Sequence, residues 1–259
     1  MRMMLGLDRP DGGTATFDGK PYQDLTRPLC VVGALLDAKA MHKGRSARNH
    51  LLFLAQTQGL PSSRVDEVLD IVGLRGVARR RAGGFSLGMG QRLGIAAALL
   101  GDPEVLILDE PVNGLDPEGV HWIRTLMQQL AADGRTVLVS SHLMSEMAVT
   151  ASQLIVIGRG KLIADCSTQE FIDRSSDKSV LVRTPDADRL SQLISEAGGT
   201  VTQSAGSLTV LDIPAQRIGE LAAASSVVLH ELTPQRASLE EAFMELTADS
   251  VEYSVGGPQ

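Results

Sequence analysis

A chain of 259 residues, 43% hydrophobic and only 3% aromatic, suits one large domain or one domain with a smaller companion, its core resting on aliphatic side chains. A formal charge of −7 argues against nucleic acid as the main partner. Two isolated cysteines, Cys30 and Cys166, exclude a disulfide framework and point to a reducing compartment, and no apolar run approaches the ~18 residues that a membrane helix needs.

Met3, Met4 and Leu7 stand at helical spacing and predict the second half of a helix over residues 1–9. No extended apolar stretch or small-residue cleavage site marks this segment as a signal peptide. Pro10-Asp11-Gly12-Gly13 breaks the pattern, TATFDG (14–19) alternates as a strand closed by an Asp18-Gly19 turn, and LCVVGALL (29–36) is a β-type run. Two amphipathic helices are predicted over 46–59 and 62–73, split at Leu60-Pro61, with Ser63 as N-cap of the second. Then β and α alternate. A helix over 86–100 leads to the strand VLILDE (105–110), a helix over 118–133, the strand RTVLVSSH (135–142) and a short helix over 143–150. A hairpin, LIVIGRGKLIA (154–164), turns at Gly158–Gly160. VLIL and TVLV are near-continuous apolar runs, as in parallel strands covered on both faces.

The polar stretch DRSSDKS (173–179) separates this half from a compact α+β pattern of about 70 residues, within the usual size of a small domain. It reads as strand 179–184, helix 187–199, strands 200–204 and 207–213, helix 215–225, the strand VVLHEL (227–232) and the helix SLEEAFMELT (238–247). Residues 248–259 read as a loose tail.

The chemistry gathers where the apolar strands end. In an open parallel sheet the ligand sits off the carboxyl ends of the strands. Asp109 and Glu110 close one strand, and His142 closes the next. Mg²⁺ accepts few protein carboxylates beside waters and substrate phosphates, so one acid can anchor its shell while the neighbouring acid deprotonates an attacking water. Taken alone, an Asp-Glu pair at a strand end is more often a plain cap; the residues around it decide.

Those residues are FSLGM (85–89) with Gln91-Arg92-Leu93, VLILDE (105–110), NGLDP (113–117) and SSH (140–142). In this order and spacing the chain resembles the ATP-binding cassette (ABC) family, the nucleotide-hydrolysing subunits of ABC transporters. FSLGM lies where that family carries LSGGQ, VLILDE at its Walker B strand, NGLDP at its D-loop and SSH at its switch histidine. The resemblance implies a P-loop NTPase-like α/β cassette over 1–173, with a mostly parallel sheet and a helical subdomain near 40–90, and a C-terminal α+β extension over 178–247. It further implies that Asp109 holds Mg²⁺ through its water shell, Glu110 is the general base, and His142 contacts the γ-phosphate of ATP. Ser86 and Gly88 would meet ATP held by a second cassette, at a helix N-terminus that favours phosphate. Asp116 would link the two sites of the dimer.

The chain departs from the family at three places. Leu87 and Met89 replace Gly and Gln of the signature, a variant similar to that of bacterial drug and bacteriocin-type exporters. Asp37 stands at the position of the Q-loop glutamine, which leaves a role there balanced against a surface-loop acid. The phosphate cradle G-x-x-x-x-G-K-[ST] occurs nowhere in the 259 residues. A start assigned about 40 residues late is the expected cause, the length coming from the resemblance, with a P-loop-less, non-hydrolysing partner cassette as its rival.

The C-terminal segment ending SLEEAFMELT looks like the extension of daunorubicin- and bacitracin-resistance exporter ATPases. The expectation is therefore the ATPase subunit of a bacterial ABC-2-type exporter, working as a homodimer. It would sit in the cytoplasm, peripheral on the inner membrane face through a separate permease, with ATP and Mg²⁺ as ligands and neither nucleic acid nor another metal. A soluble ABC ATPase of translation or DNA repair is the alternative from another class. Arg79, Arg80 and Arg81 read as a solvated face, His42, His50, His121 and His230 as ordinary surface or packing residues, and Trp122 as a helix anchor against the sheet.

Overall fold

The computed structural model describes residues 1–174, 179–204, 206–235 and 238–247. The chain folds as two compact units, Met1–His142 and Leu143–Gln259. Among the described residues no helix is long and apolar enough to cross a membrane.

In the first unit a single turn of helix, α1 (Pro28–Val31), leads into strand β1 (Val32–Leu35). Helices α2 (Ala47–Thr57), α3 (Ser62–Ile71) and α4 (Leu87–Leu99) follow, then β2 (Val105–Asp109), α5 (Pro117–Ala132) and β3 (Thr136–Ser140). The strands lie in the order β1-β2-β3 and are all parallel, with Leu35 opposite Leu108 and Asp109 opposite Ser140.

Period-two alternation divides the apolar run of β2 between two layers. Leu106 and Leu108 pack with α2, α3, α4 and α5 in one large cluster, while Ile107 joins Leu5 and Val32 on the other face. All three β2 residues are 1% exposed. Helix α4 reaches β1 at backbone distance: a Cβ on Gly33 would stand 2.0 Å from the Ala98 carbonyl oxygen, and one on Gly94 2.5 Å from Leu35 Cδ1.

The predicted helix over 1–9 is instead a set of tight turns, with Leu5 N–H bonded to Arg2 O and Gly6 N–H to Met3 O. Leu5 is the buried residue at 6%, whereas Met3 and Leu7 are 54% and 56% exposed. One anchored leucine and a left-handed Gly6 (φ +66) replace the expected stripe. The strand expected over 14–19 reduces to one bridge, Phe17 with Lys20, across the Asp18-Gly19 turn. Ser63 does not cap α3: the cap position is Pro61, without a side-chain bond, and the helix starts at Ser62.

In the second unit, α6 (Met144–Thr150) precedes the antiparallel hairpin of β4 (Gln153–Gly158) and β5 (Lys161–Ser167). Arg159 and Gly160 both have positive φ at its tip, as a two-residue turn requires. Next comes α7 (Thr168–Asp173), absent from the expected pattern and capped by Ser167. The unit continues β6 (Ser179–Arg183), α8 (Ala187–Glu196), β7 (Thr200–Ser204), β8 (Ser207–Leu211), α9 (Ala215–Ala224), β9 (Glu231–Gln235) and α10 (Leu239–Thr247). The sheet order β7-β8-β6-β9 with antiparallel pairs is the ferredoxin-like split βαβ arrangement.

The last strand starts four residues later than the predicted VVLHEL and shares only Glu231 and Leu232 with it. Val227 is spent on packing: it is 6% exposed and its N–H closes the end of α9 on Ala222 O. Pairing with β6 therefore begins at Glu231, opposite Arg183, and the edge position of β9 tolerates Pro234. The tail over 248–259 lies outside the described residues.

Candidate functional site

Parallel register carries the ends of β2 and β3 to the same edge of the sheet. There Ser140 Oγ donates to Asp109 Oδ1 (2.5 Å) and accepts the Glu110 N–H (3.0 Å). His142 Nδ1 lies 2.9 Å from Glu110 Oε2. The Glu110 side chain is 29% exposed and that of His142 63%, so the pair faces outward from the sheet edge.

Glu110 has φ +48, a left-handed conformation that costs a non-glycine residue about 1–3 kcal/mol and persists only when its surroundings impose it. Two elements impose it. Ser140 on β3 holds its N–H, and Gln91 on α4 donates Nε2–H to its carbonyl (3.1 Å). Gln91 is 4% exposed, one of few buried polar side chains.

Gln91 belongs to the helix whose first turn carries Ser86 and Gly88. Ser86, itself exposed, is the N-cap of α4, its Oγ accepting the Met89 N–H at 3.2 Å. Gly88 touches the loop after β2: a Cβ there would lie 2.9 Å from Gly114 O. Gly114 has φ +75, and a Cβ on it would come within 2.4 Å of Leu87 Cδ2. Glycine is needed at both places for the loop and helix to approach so closely. The same loop ends at Asp116, the N-cap of α5, whose Oδ1 accepts the Gly119 N–H (2.9 Å) ahead of Pro117 in the first turn.

Asp37 follows β1 at the same sheet edge, two residues beyond Leu35. It is exposed, and its Oδ1 accepts the Lys39 N–H (2.7 Å) within its own turn. Trp122 does not anchor α5 to the sheet alone. It is half-buried, with the Arg92 guanidinium 4.4 Å from its ring centre, and Arg92 also donates to Val72 O.

Asp109, Glu110 and His142 are therefore joined in one hydrogen-bonded cluster. Ser86, Gly88 and Asp116 form a second assembly around Gly114, tied to the first through Gln91. Ser140 lies within SSH and Gln91 beside Arg92, yet nothing local in the sequence reveals their partner, Glu110, 30 and 19 residues away.

The donor set suits Mg²⁺ as a carboxylate anchor. Among the described residues no three His, Cys, Asp or Glu side chains gather as a cage. One carboxylate, that of Asp109, is a sufficient protein share for Mg²⁺ when phosphate and water fill the rest of its shell.

The ABC transporter family model matches residues 1–113, and a domain of unknown function (DUF8746) matches residues 178–240. An uncharacterized ABC transporter ATP-binding protein of Bacillus subtilis, YhcH, is 34% identical over 260 residues, covering 97% of this chain and 83% of that protein. The chain belongs to the family of ABC transporter ATP-binding proteins. The bacitracin transport ATP-binding protein BcrA of Bacillus licheniformis is 40% identical over 168 residues, 64% of this chain and 55% of BcrA. The lantibiotic transport ATP-binding protein SrtF of Streptococcus pyogenes is 34% identical over 165 residues, 64% of this chain and 71% of SrtF. The chain thus spans just over half the length of the bacitracin transport relative. As an ABC protein it has the α/β fold of the P-loop NTPases, and its β1–β3 sheet is the parallel part of that fold.

Proposed function

We propose that this protein is the ATP-binding and ATP-hydrolysing subunit of a bacterial ABC exporter, driving a separate membrane permease from a dimer of cassettes. The observation that carries the reading is the cluster of Asp109, Ser140, Glu110 and His142 at one sheet edge, linked through Gln91 to the signature turn. The family resemblance of the transport relatives supports export.

In this reading Asp109 holds Mg²⁺ through its water shell, and the chemistry a bound Mg²⁺ supplies is neutralisation of charge on the phosphates. Ser140 occupies one Asp109 oxygen and so leaves the other for that shell. Glu110 takes the proton of the attacking water, and the rigid seat of its backbone keeps the carboxylate in place. His142 orients Glu110 through Nδ1, and a contact from its Nε2 to the γ-phosphate would require the ring to carry protons on both nitrogens. Ser86 and Gly88 present the N-terminus of α4 to ATP on a second copy, Asp116 links the two copies, and Asp37 stands at the Q-loop position. The cassette runs over 1–173, with its helical subdomain near 40–90, and the extension over 178–247. The assembly sits peripherally on the inner face of the plasma membrane.

The alternative, a non-hydrolysing partner cassette, is separated from this reading by measurement. ATP binding by this polypeptide alone, measured by calorimetry, is expected to be weak or absent, and micromolar affinity would refute that expectation. In a chain extended upstream of Met1 by a phosphate loop, Mg²⁺-dependent hydrolysis is expected. Glu110→Gln should then lower turnover by roughly 10²–10⁴-fold while ATP binding survives. Unchanged turnover in that variant sinks the general-base role, and a wild-type extended chain that binds ATP without hydrolysing it selects the partner-cassette reading.

A further inference from the structure

The first unit also carries a concentrated positive surface. Residues 43–81 hold eight lysines and arginines against three acids, a net +5; the rest of the chain has sixteen against twenty-eight, a net −12. The fold sharpens this polarity by pairing two segments distant in sequence. Gly83 N–H bonds Lys43 O, Ala82 N–H bonds Arg45 O, Ser46 bridges Arg81, Ala47 N–H bonds Arg80 O and Arg48 N–H bonds Ala78 O. This antiparallel seam sets the cations of 43–48 beside those of 79–81.

Some of these charges are already engaged: Arg48 pairs with Asp66 (3.3 Å), and Arg75 with Asp70. Lys43, Arg79, Arg80 and Arg81 are exposed and make no ion pair with any described residue. An open cleft of ≈ 800 Å³ lies alongside, lined by Arg48, Asn49, Arg75 and Arg79 with Asp66. Nearby Phe53 is 46% exposed, with the Arg45 guanidinium 4.2 Å from its ring centre.

We propose that this seam is a docking surface for the anionic phospholipid headgroups of a membrane, with Arg79, Arg80, Arg81 and Lys43 against the phosphates and Phe53 at headgroup depth. Clusters of four or more Lys/Arg bind anionic lipid surfaces, and exposed aromatic rings settle at the membrane–water interface. A single exposed ring among arginines suits that interface better than single-stranded nucleic acid, which is held by successive stacked bases. With a net −12 over the rest of the chain, residues 43–81 are its most cationic part and the segment with the strongest attraction to a negative surface. None of these cations is among the residues proposed for ATP chemistry, and the test does not need hydrolysis.

The test is sedimentation of the purified chain with vesicles of phosphatidylglycerol and phosphatidylcholine in equal parts, against vesicles of phosphatidylcholine alone, at low and high salt. Binding is expected only to the anionic vesicles and should weaken with salt. One cation near such a surface is worth about fivefold in affinity, so Arg79→Glu, Arg80→Glu and Arg81→Glu together should weaken binding at least ~100-fold. Lys43→Glu with Arg45→Glu, on the other side of the seam, should weaken it as well, while Arg189→Glu, at an exposed position of α8, should not. Equal binding to both vesicle types, full retention by the triple variant, or an equal loss with Arg189→Glu overturns the proposal. Tighter binding to a duplex DNA oligonucleotide or to polyglutamate than to anionic vesicles also overturns it, in favour of those partners.

Discussion

The two sheets use their strands in opposite ways. In the parallel sheet β2 is covered on both faces, with Leu106, Ile107 and Leu108 each 1% exposed, and all its polar chemistry is displaced to the strand end. In the antiparallel sheet β6 and β8 alternate: Val180, Val182, Leu208 and Val210 are buried, whereas Thr209 is only half-buried between them. One face packs under α8 and α9, and on the other Leu181, Ser207 and Leu211 are half-buried. A strand buried on both sides can reach solvent only at its tip, so the functional groups of β2 concentrate at its end, whereas β3 is half-buried along most of its length. A strand with one free face spreads its polar residues along its length, and no such concentration forms.

That difference can be attacked directly. The largest effect is expected from Gly33→Val in β1, where a Cβ would meet the Ala98 carbonyl at 2.0 Å. Neither backbone can retreat, so a loss of about 3 kcal/mol or more is expected. Amide exchange should report it first in β1–β3, and unchanged protection there would show that α4 does not lie on β1 at backbone contact. The counterpart is Leu208→Ala in β8, at a side chain of 0% exposure. A loss of about 2–4 kcal/mol is expected, read as lost protection in β6–β9 with the β2–β3 amides retained.

Helix caps sharpen the contrast further. The helices flanking the candidate site are capped by Ser86 and Asp116, whereas α8 and α9 show no side-chain cap bond at Asp186 or Pro214. Asp116→Ala should cost about 1 kcal/mol in urea denaturation, and Asp186→Ala less than about 0.5 kcal/mol. Equal costs would remove the distinction.

The smallest effect concerns His50 on α2, whose Nδ1 is buried without a partner. Burial first, then the charges of Arg45 and His42, holds its pKa below the ordinary 6.5. The unfolded chain therefore binds this proton more readily, so the contribution of His50 to stability is complete above pH 6.5 and declines as pH falls through its depressed value. Urea midpoints at pH 7.5 and 5.5 should differ less in His50→Leu than in the native chain; an unaltered difference would acquit His50.

Much of the first unit was legible in the sequence because its signals are local. The apolar run of VLILDE, the N-cap at Ser86 and the α5 start at Asp116-Pro117 each lie within one turn or one strand of the residues they organise. Pattern and structure part where an apolar group is spent on something other than an element. Met3, Met4 and Leu7 stand at helical spacing, but in residues 1–9 only Leu5 is buried. Val227 opens an apolar run, but it closes α9. Pattern counts apolar residues without knowing which neighbour will bury them.

The sequence by itself determined the order of motifs from Ser86 to His142, the apolar strands that end in acids and a histidine, and the uneven distribution of charge. Tertiary structure alone decided that Ser140 and Gln91 seat Glu110 from two sides, and that residues 43–48 lie along residues 78–83. The physical reason is the same in both cases. These contacts are set by sheet register and by backbone hydrogen bonds between segments 19 to 40 residues apart, and no local periodicity encodes which distant segment will be met.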